Sequence, residues 1–416
     1  MHDNMTIDGE RLWQDLEALA QITDRERPWT RRAFTQRYLE GRAWLRHRMH
    51  EAGMTTRLDD AGNLIGSLTG SEPSLPPLAT GSHIDTVPGG GRYDGILGVL
   101  AGLEAVRSLQ DTGIRLRHSL EVIDFLSEEP SEYGLSCIGS RAMVGKLSPA
   151  MLDFQEPGGE RLFDAIRRMG GVPEALGEPL RQPGALSAFV ELHIEQGRVL
   201  ESRQLPIGVV SDIVGIHRYD ILITGQADHA GTTPMDLRRD ALAEAGGLIK
   251  TIQQEAQRQA QGDAYLVATV GRLTVSPNAS NAIPERVEMV LEVRSNDAAL
   301  LEGFFPPLLE ETRRQLAGSG IEVAAKSLSE GLPTQCADEV QAQIAAAADS
   351  LGLGTLSMPS GAGHDAVYMA MLAPTGMLFV PCLDGRSHCP EESITRQQAA
   401  NGCQVLAETL RRLDQL

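Results

Sequence analysis

Hydrophobic and polar positions change their period several times along the chain. From about Asp8 to Gly53 they repeat at helical spacing, with Leu12, Leu16 and Leu19 on one stripe and Trp44, Leu45 and Met49 on another. TTRLDDAGNLIGSL then predicts a hairpin turning at Asp60-Ala61-Gly62-Asn63. An extended apolar stretch from Ala79 leads into a Pro-Gly-Gly-Gly turn, Asp94 and a helix-spaced run to about Leu109. HSLEVIDFLSEE predicts a strand ending on the paired acids Glu128 and Glu129, and SAFVELHIEQGRVLE another that carries His193 and Glu195. Strands alternating with helices imply an α/β sheet, whose ligands sit beyond the carboxyl ends of the strands. His83, Glu128, Glu129 and His193 all fall at or near such ends.

From about Ser211 the pattern shifts. HRYDILITG reads as a strand and PMDLRRDALAEAGGLIKTIQQEAQ as a helix. YLVATVGRLTV and ERVEMVLEVRSND read as two mutually paired strands, and LLEGFFPPLLEETRRQL as one further helix. This α+β set, roughly 115 residues long, suits a separate inserted domain. After IEVAAKSLSEGLPTQ the α/β pattern returns with a helix from about Ala337 to Leu351, the glycine-rich SGAGHDA, the strand GMLFVPC, GRSHCPEE and a final helix. The predicted fold class is α/β with two domains. A discontinuous domain (1–210 and 328–416) is built on a mixed sheet, and an α+β lid or dimerisation domain (211–327) interrupts it.

Composition narrows the function. Hydrophobic residues make up 42% of the 416 and charged residues 22%, which describes a soluble globular protein with an ample core. A net charge of -19 excludes partners that require a basic surface, nucleic acid and anionic membranes among them. An anionic substrate must then meet a local positive site, either metal or arginine. The N-terminal stretch has no apolar signal-peptide core, and no run approaches the ~18 apolar residues of a membrane span. Cys137, Cys336, Cys382, Cys389 and Cys403 are odd in number and lack CxxC spacing. The expectation is a reducing, cytoplasmic setting without a disulfide framework or zinc ribbon. Cys389, beside His388, reads as a small side chain in a tight loop.

The chemistry gathers around GSHIDTVPGGGRYDG. Residues i and i+2 of a strand share a face, so the Asp85 carboxylate is placed to fix the tautomer of His83. Two cations ~3.5 Å apart repel by roughly 20 kcal/mol even at an effective dielectric near 20. A pair of them needs a bridging carboxylate with anionic or imidazole ligands. His83, Asp94, Glu129, His193 and His388 are candidates of that kind. Each alone reads equally well as a solvated acid or a satisfied core histidine. Five of them at strand ends and glycine-rich turns point to metal. Glu128 and Glu129, following an apolar Asp-Phe-Leu, also require a cation to lose water side by side.

GSHIDTVPGGGRYDGILGVLAG, SEE at Ser127–Glu129, ELHIEQGRVLE, ADHAGTTPMDLRRDA, NAIPERVEMVLEVR, SGAGHDA and SHCPEE together resemble the dinuclear amidohydrolases of the M20 metallopeptidase family. The resemblance is closest to the hydantoinase/carbamoylase branch: N-carbamoyl-L-amino-acid hydrolases, bacterial-type β-ureidopropionases and allantoate amidohydrolases. It runs in one order over nearly the whole chain and implies two divalent metals, zinc or manganese, with cobalt or nickel also suited to the ligand set. Asp94 would bridge them, His83 and His193 completing one and Glu129 and His388 the other. Glu128 would be the general base toward a bridging hydroxide, with Asp85 orienting His83. His229 would stabilise the oxyanion and Arg294 clamp a substrate carboxylate, with Gln196, Asn281 and His364 lining the pocket. By themselves His229 reads as a helix cap and Arg294 as an exposed strand-end arginine. His217 reads as structural or pocket-lining, His118 and His50 as surface.

The resemblance further implies a homodimer joined through the lid domain and a small-molecule substrate bearing a carboxylate. The reaction would cleave the ureido C–N bond of an N-carbamoyl amino acid or relative. The alternatives are an aminoacylase or dipeptidase, or a non-catalytic metal-binding relative, for which Glu128 would have no use. One segment departs from the family, which continues after the paired acids with Gly and an Arg-Phe pair. This chain has Pro130-Ser131-Glu132-Tyr133-Gly134. GIHRYDILITG is more similar to the allantoate enzymes, NAIPERVEMVLEVR to the carbamoylases.

Overall fold

A computed structural model describes residues 5–416, so residues 1–4 of the polar N-terminal stretch lie outside the described residues. The chain forms two compact units: residues up to Ser211 with Gln335–Ser360 and His364–Leu416, and Asp212–Thr334 with Gly361–Gly363. Their strands in chain order are β1 (Thr55–Leu58), β2 (Leu64–Leu68), β3 (Leu78–Ser82), β4 (Leu120–Asp124), β5 (Ala188–Ile194) and β6 (Ile207–Ile213). There follow β7 (Gly215–Thr224), β8 (Leu266–Ser276), β9 (Arg286–Ser295), β10 (Glu322–Gly331), β11 (Thr334–Gln335), β12 (Thr355–Ser360) and β13 (Thr375–Val380).

The larger unit is built on a mixed sheet in the order β1-β2-β4-β3-β5-β13-β6-β11, with β12 beside β6. β4, β3, β5 and β13 run parallel, whereas β1 and β2 at one side and β6 at the other are antiparallel to their neighbours. The parallel strands are buried along their whole length, as expected of strands covered on both faces. Helix Ile96–Asp111, apolar almost all round, is buried from Ile96 to Leu109. It packs on β3 and β5 and against helices Gly9–Ala20 and Arg396–Leu413. The last helix starts at a capping box, Thr395 with Gln398. His50 is exposed, but His118 is buried and not a surface residue. Asp414 accepts its backbone N–H and the Pro76 carbonyl pairs with its ring.

The smaller unit is an antiparallel sheet, β10-β7-β9-β8. β9 alternates buried and more exposed positions, so one face packs on helices while the other stays polar. β8 and β9 pair as the alternation suggests. The segment read as one helix is two, Ala298–Gly303 and Phe305–Leu316, because prolines 306 and 307 can only start a helix, not continue one. The unit ends at Thr334 rather than at 327, since β10 runs to Gly331 on β7.

Candidate metal centre

Three parallel strands deliver the first residues of the centre to one edge of the sheet. His83 directly follows β3, Ser127–Glu129 lie just beyond β4, and His193 is near the end of β5. Asp94 stands before helix Ile96–Asp111 and His388 in the turn before the final helix. Asp94 faces both ways: Oδ1 is 3.7 Å from His83 Nε2 and 3.1 Å from His193 Nε2, and Oδ2 is 3.3 Å from His388 Nε2. His388 Nε2 is also 3.1 Å from Glu129 Oε1. The ligand atoms within His83–Asp94–His193, and those within Asp94–Glu129–His388, lie inside 4.8 Å of one another. Gly95, at φ 69°, lets the backbone pass: a Cβ there would stand 2.3 Å from His83 Nε2.

The donor set fits divalent metals. Nδ1 of His83 is 2.9 Å from the Asp85 carbonyl and Nδ1 of His193 2.9 Å from the Ile194 carbonyl. Carbonyls accept only, so each ring carries its proton on Nδ1 and turns the Nε2 lone pair inward. The tautomer of His83 is thus set by the backbone of Asp85, its carboxylate standing 3.6 Å away. That carboxylate instead accepts the backbone N–H groups of Glu128 and Glu129, both at 3.2 Å, and so holds the acid pair in place.

Negative charge dominates the site. Burial opposes ionisation of Asp94, but His193, His388 and His83 outweigh it and hold its carboxyl well below the usual range. Burial likewise opposes protonation of His193, yet Asp94 raises it to about 9. Hydrogen bonds to Asp94 and Glu129 raise His388 to about 11. Imidazoles that hold protons this tightly occupy a place where a cation is favoured. Burial, reinforced by Glu129 and Asp365, pushes Glu128 well above the carboxylate range. Its Oε2 is 3.5 Å from His83 Nε2. Ser127, Cys137, Gln196 and His388 all adopt φ between 52° and 57°. Such left-handed backbone in non-glycine residues is costly and concentrates at functional sites.

Several contacts escaped the sequence reading. Glu392 Oε1 accepts the N–H groups of Arg92, Tyr93 and Asp94 at 2.9, 2.8 and 3.1 Å. Its Oε2 is 2.9 Å from the Ser387 hydroxyl, itself 2.6 Å from Asp94 Oδ2. One carboxylate therefore ties the Asp94 loop to the His388 loop. Only its place in SHCPEE hinted at this. Gln196 donates to Asp94 Oδ2 at 2.6 Å, and its own Oε1 is buried with no partner among the described residues. His364 is buried beside His193, its ring edge-on to that imidazole at 4.6 Å and its Nε2 2.9 Å from Ser360 Oγ. Glu195 accepts the N–H groups of Val199 and Leu200. In the departing segment Arg32 pairs with Glu132 at 2.6 Å and donates to the Pro130 carbonyl at 2.9 Å. Tyr133 packs edge-on against Phe34 and donates to Glu160.

His229, Asn281 and Arg294 belong to the smaller unit. His229 Nδ1 accepts the N–H groups of Gly231 and Thr232, which fixes the proton on Nε2 of an exposed ring. It caps its turn, and among the described residues its Nε2–H has no partner. Ala230 donates to the Asn281 carbonyl, and Asn281 is exposed. Arg294 binds Glu292 and the Gly361 carbonyl. His217 is buried, as a structural residue would be.

Residues 79–412 match the peptidase family M20/M25/M40. An N-carbamoyl-L-amino acid amidohydrolase of Geobacillus stearothermophilus is 39% identical over 98% of this chain and 99% of its own. A ureidoglycolate hydrolase of Arabidopsis thaliana is 34% identical over 99% of this chain and 87% of its own. The crystal structure of a hydantoinase/carbamoylase family amidase from Burkholderia multivorans superposes with a TM-score of 0.90 at 35% identity, over 98% of each chain. The protein is a member of the M20/M25/M40 peptidase family, within its hydantoinase/carbamoylase amidases, and a hydrolase of C–N bonds in linear amides.

Proposed function

We propose that this hydrolase cleaves the ureido C–N bond of an N-carbamoyl amino acid or a close relative, with water giving the free amino acid, ammonia and carbon dioxide. The observation that carries the reading is Glu128, a buried carboxylate 3.5 Å from His83 Nε2 at the rim of a cluster whose Asp94 turns one oxygen to each histidine set. Two divalent cations, held by His83, Asp94 and His193 and by Asp94, Glu129 and His388, would polarise the amide oxygen and acidify water. Glu128 takes a proton from the attacking water and returns it to the leaving nitrogen. Gln196 Oε1, a buried acceptor with no donor among the described residues, suits the N–H groups of a ureido substrate. His229, with its proton on Nε2, donates to the developing oxyanion, and Arg294 binds the substrate carboxylate.

A homodimer through the smaller unit accords with β8, an eleven-residue edge strand on which Val267 and Leu273 are exposed. Five free cysteines suit a reducing, cytoplasmic compartment, and no described helix is long and apolar enough to cross a membrane. The test is product release by Zn²⁺- or Mn²⁺-reconstituted protein. The panel comprises N-carbamoyl-L-amino acids, N-carbamoyl-β-alanine and allantoate, beside N-acetyl amino acids and dipeptides. Ammonia from the ureido compounds is expected. Turnover of acyl or peptide substrates alone would overturn the ureido reading in favour of an aminoacylase or dipeptidase.

A further inference from the structure

Arg294 lies near the end of β9, and its guanidinium is already partly used. Nε and Nη2 both stand 2.7 Å from Glu292 Oε1, and Nη1 donates to the Gly361 carbonyl at 2.7 Å. A guanidinium has five N–H groups. Three are engaged here, which leaves one on each terminal nitrogen. Glu292 is held in turn, since Arg218 of β7 donates to its Oε2 at 2.6 Å. Residues 218 and 292 are direct partners in the β7–β9 register, so the sheet itself sets this spacing. Arg294 and Arg218 keep the Glu292 carboxyl below its ordinary range despite burial. The trio of two arginines and one glutamate carries a net charge of +1.

We propose that Glu292, braced by Arg218, is a positioning residue that presents the two remaining N–H groups of Arg294 to one planar carboxylate of the substrate. This rests on the reading of Arg294 as the carboxylate clamp. Glu292 immobilises the long side chain before substrate arrives, which lowers the ordering cost of binding. The single net charge matches a monocarboxylate, such as an N-carbamoyl amino acid or allantoate, better than a dicarboxylate or an uncharged amide.

The test compares KM and kcat for the most active N-carbamoyl amino acid of the panel and for its carboxamide, in wild type, Arg294→Ala, Glu292→Ala, Glu292→Gln and Arg218→Ala. Hydrogen bonds to a charged group are worth enough that Glu292→Ala should raise KM for the carboxylate by roughly ten-fold or more. The loss should be carried by KM rather than kcat, as for an interaction shared by ground and transition states. The KM ratio of carboxylate to carboxamide should move toward that of Arg294→Ala. Glu292→Gln keeps an oxygen acceptor for Arg294 and should recover much of the loss, and Arg218→Ala should fall between. If Arg294→Ala raises KM for the carboxylate and Glu292→Ala does not, the positioning role is overturned and the clamp stands. If Glu292→Ala weakens both substrates equally, its role is packing and the proposal fails. If Arg294→Ala leaves the KM ratio unmoved, the clamp reading itself falls.

Discussion

Glu392 reaches the side chain of a candidate metal ligand by way of Ser387, and through backbone hydrogen bonds it fixes where Asp94 lies. A single carboxylate oxygen gathers three successive backbone N–H groups. The expected outcome of Glu392→Ala is a folded protein whose apo form binds Zn²⁺ at least ten-fold more weakly by calorimetric titration, the range for partners of metal ligands being about 10–100-fold. Unchanged affinity would remove Glu392 from the centre. The residues that cluster as candidate ligands could be named from the sequence because His and acidic residues at strand ends and glycine turns have a known chemistry. Glu392 was not, because the backbone N–H groups it accepts lie some three hundred positions away in the chain and an acid in a turn reads as solvated. The geometry also reassigned Asp85. Alternation predicted that its carboxylate would meet His83, whereas its carbonyl does so and the carboxylate holds the Glu128–Glu129 backbone.

At the scale of elements, a buried ion pair ties helix Gln36–Glu51 to the end of β4 next to the centre. Arg42, from helix Gln36–Glu51, donates to Asp124 Oδ2 at 2.8 Å, and Asp124 Oδ1 accepts the N–H of Ile84 just past β3. Both partners are buried. Removing one leaves an uncompensated charge, so Arg42→Met should destabilise the protein by ~3–5 kcal/mol in denaturant titration. A loss below about 1 kcal/mol, the worth of an exposed pair, would show that Asp124 finds another partner. Elements were legible where burial imposes a period. The buried runs of β4, β5 and β13 stand out in sequence, whereas β10 does not, because Val323 is its only buried residue and neither face alternates cleanly. β12 was missed as well, a six-residue strand whose alternation from Thr355 to Met358 is short and is followed by Pro359. The double proline after Phe305 splits a run whose spacing is otherwise helical throughout.

At the scale of the whole molecule, the interruption of one α/β unit by an α+β unit was legible because the pattern of elements changes twice along the chain. Its second edge was displaced, since an edge strand with polar faces looks like a linker. If the smaller unit joins two copies, the joint substitution Val267→Asp and Leu273→Asp should convert a dimer to monomer in sedimentation at micromolar concentration. A monomeric wild type would contradict the dimer directly. Metal removal bears on the larger unit alone. Dialysis against a chelator should abolish amide hydrolysis, and Zn²⁺ or Mn²⁺ should restore it; activity that survives chelation would rule out a metal-dependent site.

The most direct measurement of the central claim is the metal content of wild-type and Glu128→Gln protein by elemental analysis, paired with kcat on the preferred ureido substrate. Two metals per chain are expected in both proteins, with a kcat lower by about 10²–10⁴-fold in the variant, the contribution of a positioned general base. Full turnover by Glu128→Gln with both metals bound would contradict it.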